Sequence, residues 1–236
     1  MARTVVVVQA RMGSSRFPGK VMEALAGRSV LEHVLERCAA IPGVDAVCCA
    51  TSVRAADDVV ARAAAVLGAA VVRGSEADVL GRYAQAAREM DADVVLRVTA
   101  DCPLIDPRVC GAVLARRTRA DAALATNNSP PSWPHGLDCE AFTLECLERA
   151  EREAYEPDDR EHVSPYMRRH EHAVNVACPE PGLAGVRWTL DTARDLAFLR
   201  SLFDLLPRGE EGWSYTVPLD VMRRHPALWE ANRLLA

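Results

Sequence analysis

Lysine is almost missing from this 236-residue chain: of 28 basic residues only Lys20 is a lysine, and the rest are arginine. Either cation serves on a solvated surface, so a bias this strong marks Lys20 as a position where a planar guanidinium does not do. Aromatic residues are scarce too, at 5%, so the core rests on Ala, Val and Leu. No apolar run approaches the roughly 20 residues of a membrane-spanning helix. The stretch Val5–Val8 is too short for the core of a secretory signal and runs directly into polar sequence, so a soluble, cytoplasmic protein is expected. None of the eight cysteines forms a C-x-x-C pair, which argues against a zinc ribbon or a dithiol redox site and for buried, reduced thiols. Acidic residues are absent from the first 20 positions, where Arg3, Arg11, Arg16 and Lys20 lie; the first carboxylate is Glu23. With a net charge of −5, a chain-wide footprint for nucleic acid is excluded, and the local cationic patch suits a small anionic ligand.

What is present is a regular alternation of strands and helices. Strands are expected at 4–10, 45–50, 69–73, 93–99, 120–126 and 186–190. Between them, helices are expected after Ser29, over 57–67, after a cap at Ser75, after Asp106-Pro107, and over 192–206 behind Thr192 and Asp195. That order predicts one α/β domain, three-layered, with a mostly parallel sheet. The Pro-rich stretch 129–136 and the charged helical stretch 143–170 interrupt it. Residues 128–180 read as an inserted subdomain, and the C-terminal segment as the piece that completes the sheet.

In such folds ligands bind beyond the carboxyl ends of the strands. The loop Arg11-Met12-Gly13-Ser14-Ser15-Arg16-Phe17-Pro18-Gly19-Lys20 follows the first strand and combines glycines, serines and cations in the manner of a phosphate cradle. It has neither Walker nor dinucleotide-binding spacing, and a solvated basic turn is its alternative. Asp101 ends the fourth strand and Asp191 the last. Two carboxylates facing a cationic loop describe a magnesium–phosphate site, although Asp101 taken singly also fits a turn or a helix cap. His162, His170 and His172 lack a matching set of ligands for zinc. Asp138-Cys139-Glu140 fits a metal site, a polar substrate site or simple turn chemistry.

Taken together, Gln9 to Lys20 resembles the N-terminal signature of cytidylyltransferases that activate acidic sugars. The order of Arg73-Gly74-Ser75, Asp78-Val79-Leu80, Arg82-Tyr83, Arg97 to Pro107, Gly136 to Glu140, Arg160 to Tyr166 and Arg187 to Asp195 is similar to the spore-coat polysaccharide (SpsF-type) branch. The resemblance implies a nucleotidyltransferase fold related to type-A glycosyltransferases, a homodimer, CTP as donor, Mg2+ as cofactor and a small acidic acceptor. By position it assigns the nucleotide to Ala10, Arg11, Gly13, Ser15, Arg16 and Lys20, and the metal to Asp101 and Asp191. Lys20, Arg11, Arg16 and Asp101 would carry the chemistry. Thr51, Ser52, Arg73, Gly74 and Asp78 would line the cytidine pocket, and Asp138, Glu140, Arg160 and His162 would face the acceptor. Residues 128–180 would serve acceptor binding and dimerisation. Rival readings are a non-sugar acceptor such as a phosphonate, a nucleotide-sugar glycosyltransferase, and a non-catalytic nucleotide-binding regulator.

Overall fold

The computed structural model describes residues 2–235. The chain runs through β1 (Thr4–Gln9), a short hairpin of β2 (Ala24–Leu25) and β3 (Arg28–Ser29), α1 (Val30–Ala39), β4 (Ala46–Ser52), α2 (Asp58–Val66) and β5 (Ala70–Gly74). It continues through α3 (Val79–Glu89), β6 (Val94–Thr99), α4 (Pro107–Ala120), β7 (Leu124–Thr126), β8 (Glu140–Thr143), α5 (Leu144–Glu153), α6 (Pro157–His162), α7 (Pro165–His170) and β9 (Ala173–Asn175). It ends with α8 (Ala193–Phe203), α9 (Thr216–Arg224) and α10 (Pro226–Arg233). Seven strands form one sheet in the order β5-β4-β1-β6-β8-β7-β9, parallel except at β8, which is antiparallel to both its neighbours.

β1 shows why the sheet is covered on both faces. Val5 to Val8 are fully buried, and their side chains alternate. Val6 and Val8 pack with Leu31 and Val34 of α1, Val60 of α2 and Val113 of α4. Val5 and Val7 pack with Leu80 and Tyr83 of α3 and Leu147 of α5. A strand buried on both faces reads as a continuous apolar run, and each valine contributes about 1.5–3 kcal/mol relative to exposure. Seven of the eight cysteines are buried in these layers as free thiols, Cys178 being partly exposed. Burial pushes the Cys48 and Cys49 thiols up to about 12, as expected for inert packing groups.

Capping follows the sequence closely in three places. Ser29 with Glu32 and Thr192 with Asp195 form complete capping boxes, and Asp106 caps α4. Elsewhere the structure departs from expectation. The cap of α3 is Asp78, whose Oδ1 accepts from Gly81 N at 2.9 Å, while Ser75 only tightens the preceding turn by accepting from Asp78 N. β7 starts at Leu124 because α4 persists to Ala120. Residues 186–190 are extended but do not join the sheet; they make one bridge, between Arg187 and His135. Their alternation reflects Trp188 and Leu190 burying into a third cluster with α8 and α9. The sheet is completed instead by β8 and β9, both supplied by residues 128–180.

Candidate active site

A cavity of about 310 Å³, within the range of small-molecule sites, opens beyond the carboxyl ends of β1 and β6. The loop after β1 forms one wall. Met12 N is anchored by Asp57 Oδ1 at 2.7 Å, and Gly19, at φ +78°, folds back so that its N–H reaches Met12 O at 2.9 Å. A left-handed residue is tolerated there because glycine has no Cβ. A 3₁₀ turn over Lys20–Met22 then turns Lys20 inward.

Lys20 is 9% exposed. Its Nζ lies 2.6 Å from Asp101 Oδ2 and 2.8 Å from Asp191 Oδ1. Arg16 reaches the same Asp191 oxygen at 2.9 Å, and Arg187 donates to Asp191 Oδ2 at 2.8 Å. Asp195 fixes this corner by accepting from both Arg187 Nε and Asp191 N, each at 2.9 Å. Burial opposes the charge on Lys20, but the Asp101 and Asp191 carboxylates outweigh it and raise its pKa. Burial likewise opposes ionisation of Asp191, and Lys20 and Arg187, with Arg16, outweigh it and hold its carboxyl below the usual range. Among the described residues the remaining oxygen of Asp101 has one long contact, with Cys102 Sγ at 3.6 Å.

Two carboxylates that converge on one cationic atom offer hard oxygen donors at a single point. No cluster of three His, Cys, Asp or Glu side chains suited to a metal occurs among the described residues. The donor set therefore fits a magnesium ion held by two carboxylates and completed by substrate phosphates, rather than an all-protein cage.

Of the residues singled out by sequence, Ala10, Arg11, Ser15, Arg16, Lys20, Asp101, His162 and Asp191 line this cavity. Gly13 lies in the loop beside the cavity, where a Cβ would lie 2.8 Å from the Glu76 Oε1 carboxylate oxygen. The remainder do not line it. Thr51 and Ser52 are fully buried at the end of β4, Ser52 donating to Asp57. Arg73 is engaged by Asp58 at 2.6 Å and by the Ser52 and Arg54 carbonyls. Gly74 ends β5, where a Cβ would strike Gln85. Asp78 and Arg160 bind each other, and Arg160 also holds Glu151 O at 2.7 Å. Asp138 accepts from Gly136 N at 3.0 Å. Glu140 is 1% exposed between Arg97 and Arg168. Sequence reasoning gave no site role to Gln9, Arg82, Arg97, Thr99 and Glu161, which do line the cavity. The signal for Arg97 was an arginine inside the otherwise apolar strand β6; Arg82 carried none, since α3 also holds Gln85, Arg88 and Glu89.

Comparison with known proteins identifies the family and the fold. Residues 5–208 match the cytidylyltransferase family. A spore coat polysaccharide biosynthesis protein, SpsF, of Bacillus subtilis is 29% identical over 84% of this chain and 85% of its own. A 3-deoxy-manno-octulosonate cytidylyltransferase of Anaeromyxobacter dehalogenans is 40% identical, but over only 48% of this chain and 47% of its own. A cytidylyltransferase structure from Leptospira borgpetersenii superposes with a TM-score of 0.90 at 28% identity, covering 97% of both chains. A sheet of the nucleotidyltransferase type, a cavity beyond the carboxyl ends of β1 and β6 and a match spanning residues 5–208 converge on one assignment: the chain belongs to the cytidylyltransferase family, and it is a nucleotidyltransferase enzyme.

Proposed function

We propose that the enzyme transfers CMP from CTP to a small acidic sugar with release of pyrophosphate, in the assembly of a polysaccharide or glycoconjugate. The observation that carries this reading is the convergence of Lys20, Asp101 and Asp191 beside the loop at 11–20. An acceptor hydroxyl oxygen attacks the α-phosphorus in line; the new O–P bond forms as the bond to the β-phosphate oxygen breaks, pyrophosphate leaves and the hydroxyl proton passes to water. Positioning and charge neutralisation dominate such transfers. Arg11, Ser15, Arg16 and Lys20 cradle the triphosphate, and Lys20 and Arg16 offset the charge that grows on the leaving pyrophosphate. Both must first leave Asp191, so the nucleotide exchanges phosphate contacts for the carboxylate contacts of the free enzyme. Asp101 and Asp191 would hold a magnesium ion, which when bound supplies Lewis-acid polarisation of phosphate oxygens. The acidic acceptor is supported by the octulosonate-activating relative and by the cationic lining of the cavity. A homodimer in the cytoplasm completes the reading.

The test is a pyrophosphate-release screen with magnesium, CTP beside UTP, ATP and GTP, and octulosonic, nonulosonic and phosphonate acceptors. Turnover confined to CTP and an acidic sugar is expected, and Asp101→Asn abolishes it. Release with UTP in place of CTP, or near-normal turnover by Asp101→Asn, overturns the assignment.

A further inference from the structure

Arg82 lies one turn into α3, is 2% exposed, and lines the cavity. Among the described residues its side chain makes one hydrogen bond, to the Ser75 carbonyl, its Nε has no partner, and it forms no ion pair. The other cations of the cavity are engaged: Lys20 by Asp101 and Asp191, Arg16 by Asp191, Arg11 by Glu161 at 3.7 Å, and Arg97 by Glu140 at 2.9 Å. Burial draws the pKa of Arg82 down and the Arg11 cation adds to the shift, which the Asp57 and Asp78 carboxylates offset only in part. Arg97, whose Nε is also buried without a partner, lines the same cavity, with Gln9 Oε1 at 3.4 Å from its Nη2.

We propose that Arg82, backed by Arg97, receives the carboxylate of the acceptor and so selects acidic acceptors; this deepens the acidic-sugar reading above and rests on it. The triphosphate is drawn to the other group of cations, because Arg16 and Lys20 already converge on Asp101 and Asp191. Cytosine is neutral and would leave the charge on Arg82 uncompensated. A carboxylate compensates it and matches the guanidinium fork with two parallel hydrogen bonds.

The test compares wild type, Arg82→Gln and Arg82→Lys by pyrophosphate release with CTP, magnesium and the acidic sugar that the wild type uses best, beside the primary carboxamide of that sugar. Wild type favours the acid over the amide by about tenfold or more in kcat/KM, the range expected of a charged hydrogen bond. In Arg82→Gln the KM for the acid rises about tenfold and the preference over the amide disappears, with CTP affinity by calorimetry unchanged within about twofold. Arg82→Lys, which keeps the charge without the fork, retains part of the preference and carries the test if Arg82→Gln does not fold. An undiminished preference for the acid in both variants, or a loss of CTP affinity in both with the acceptor KM unchanged, overturns the proposal. Failure of the wild type to use any acidic sugar overturns the acceptor reading itself, a separate outcome.

Discussion

Replacing Lys20 by Met removes the ammonium that lies between Asp101 and Asp191 while keeping most of the apolar stem. Two charge-assisted hydrogen bonds are lost, at 2.6 and 2.8 Å. Asp191 keeps Arg16 and Arg187, whereas Asp101 keeps no ion-pair partner among the described residues. Breaking a fully buried ion pair costs about 3–5 kcal/mol, but the Asp101 side chain is 23% exposed and water recovers part of that. We expect a loss of about 2–3 kcal/mol, which for a chain of this size lowers Tm by about 4–12 °C. The assay is thermal unfolding at pH 7.5 without divalent ions. The pH dependence follows from the two shifted groups. Lys20 has a raised pKa, so its contribution is complete below the usual lysine value and is lost as pH rises through the raised one. Asp191 has a depressed pKa, so its contribution is complete above the usual carboxylate value and is lost as pH falls through the depressed one. The gap between wild type and Lys20→Met is therefore flat from about pH 5 to 9, closing below about pH 4 and above about pH 10.5. Magnesium stabilises Lys20→Met more than wild type, because a divalent ion replaces the missing ammonium between the carboxylates. Lys20→Arg separates stability from catalysis: it recovers most of the Tm, yet a bulkier, planar cation cuts turnover at least about tenfold, or 1.4 kcal/mol of transition-state stabilisation. An unchanged Tm in Lys20→Met at pH 7.5, or normal turnover in Lys20→Arg, refutes the reasoning.

Two further predictions concern the scaffold. Glu140→Gln leaves the Arg97 and Arg168 guanidiniums facing each other and costs about 3–5 kcal/mol in urea unfolding. Burial opposes ionisation of Glu140, but Arg97 and Arg168 outweigh it and depress its pKa, so the difference from wild type shrinks as pH falls below about 4. Gly136→Ala places a Cβ 2.8 Å from the Trp188 carbonyl carbon and 2.9 Å from Thr189 N at a φ of +114°, and no side-chain movement relieves a backbone clash. A loss of at least about 2 kcal/mol by denaturation is expected, and wild-type stability in this variant contradicts the close approach of Gly136 to the Trp188–Thr189 backbone.

The alternation of elements was legible because its signals are local. The Ser29–Glu32 and Thr192–Asp195 capping boxes and the Asp106-Pro107 helix start involve residues at most three positions apart, and the apolar runs are of strand length. The extended stretch 186–190 shows the limit of that reading: Trp188 and Leu190 alternate into an apolar layer in the same way whether or not a neighbouring strand bonds to the backbone. Glu140 shows it again, for a carboxylate after a glycine-containing turn looks exposed until β8 is inserted between β6 and β7 and brings Arg97 and Arg168 around it.

By itself the sequence determined the α/β layering, the cationic loop after β1 and the singularity of Lys20, since composition, periodicity and capping are properties of near neighbours. Tertiary structure alone decided which acids that lysine meets, 81 and 171 positions along the chain, and which arginines reach the cavity. Those choices depend on the order of strands in the sheet, a long-range pairing that no local pattern encodes.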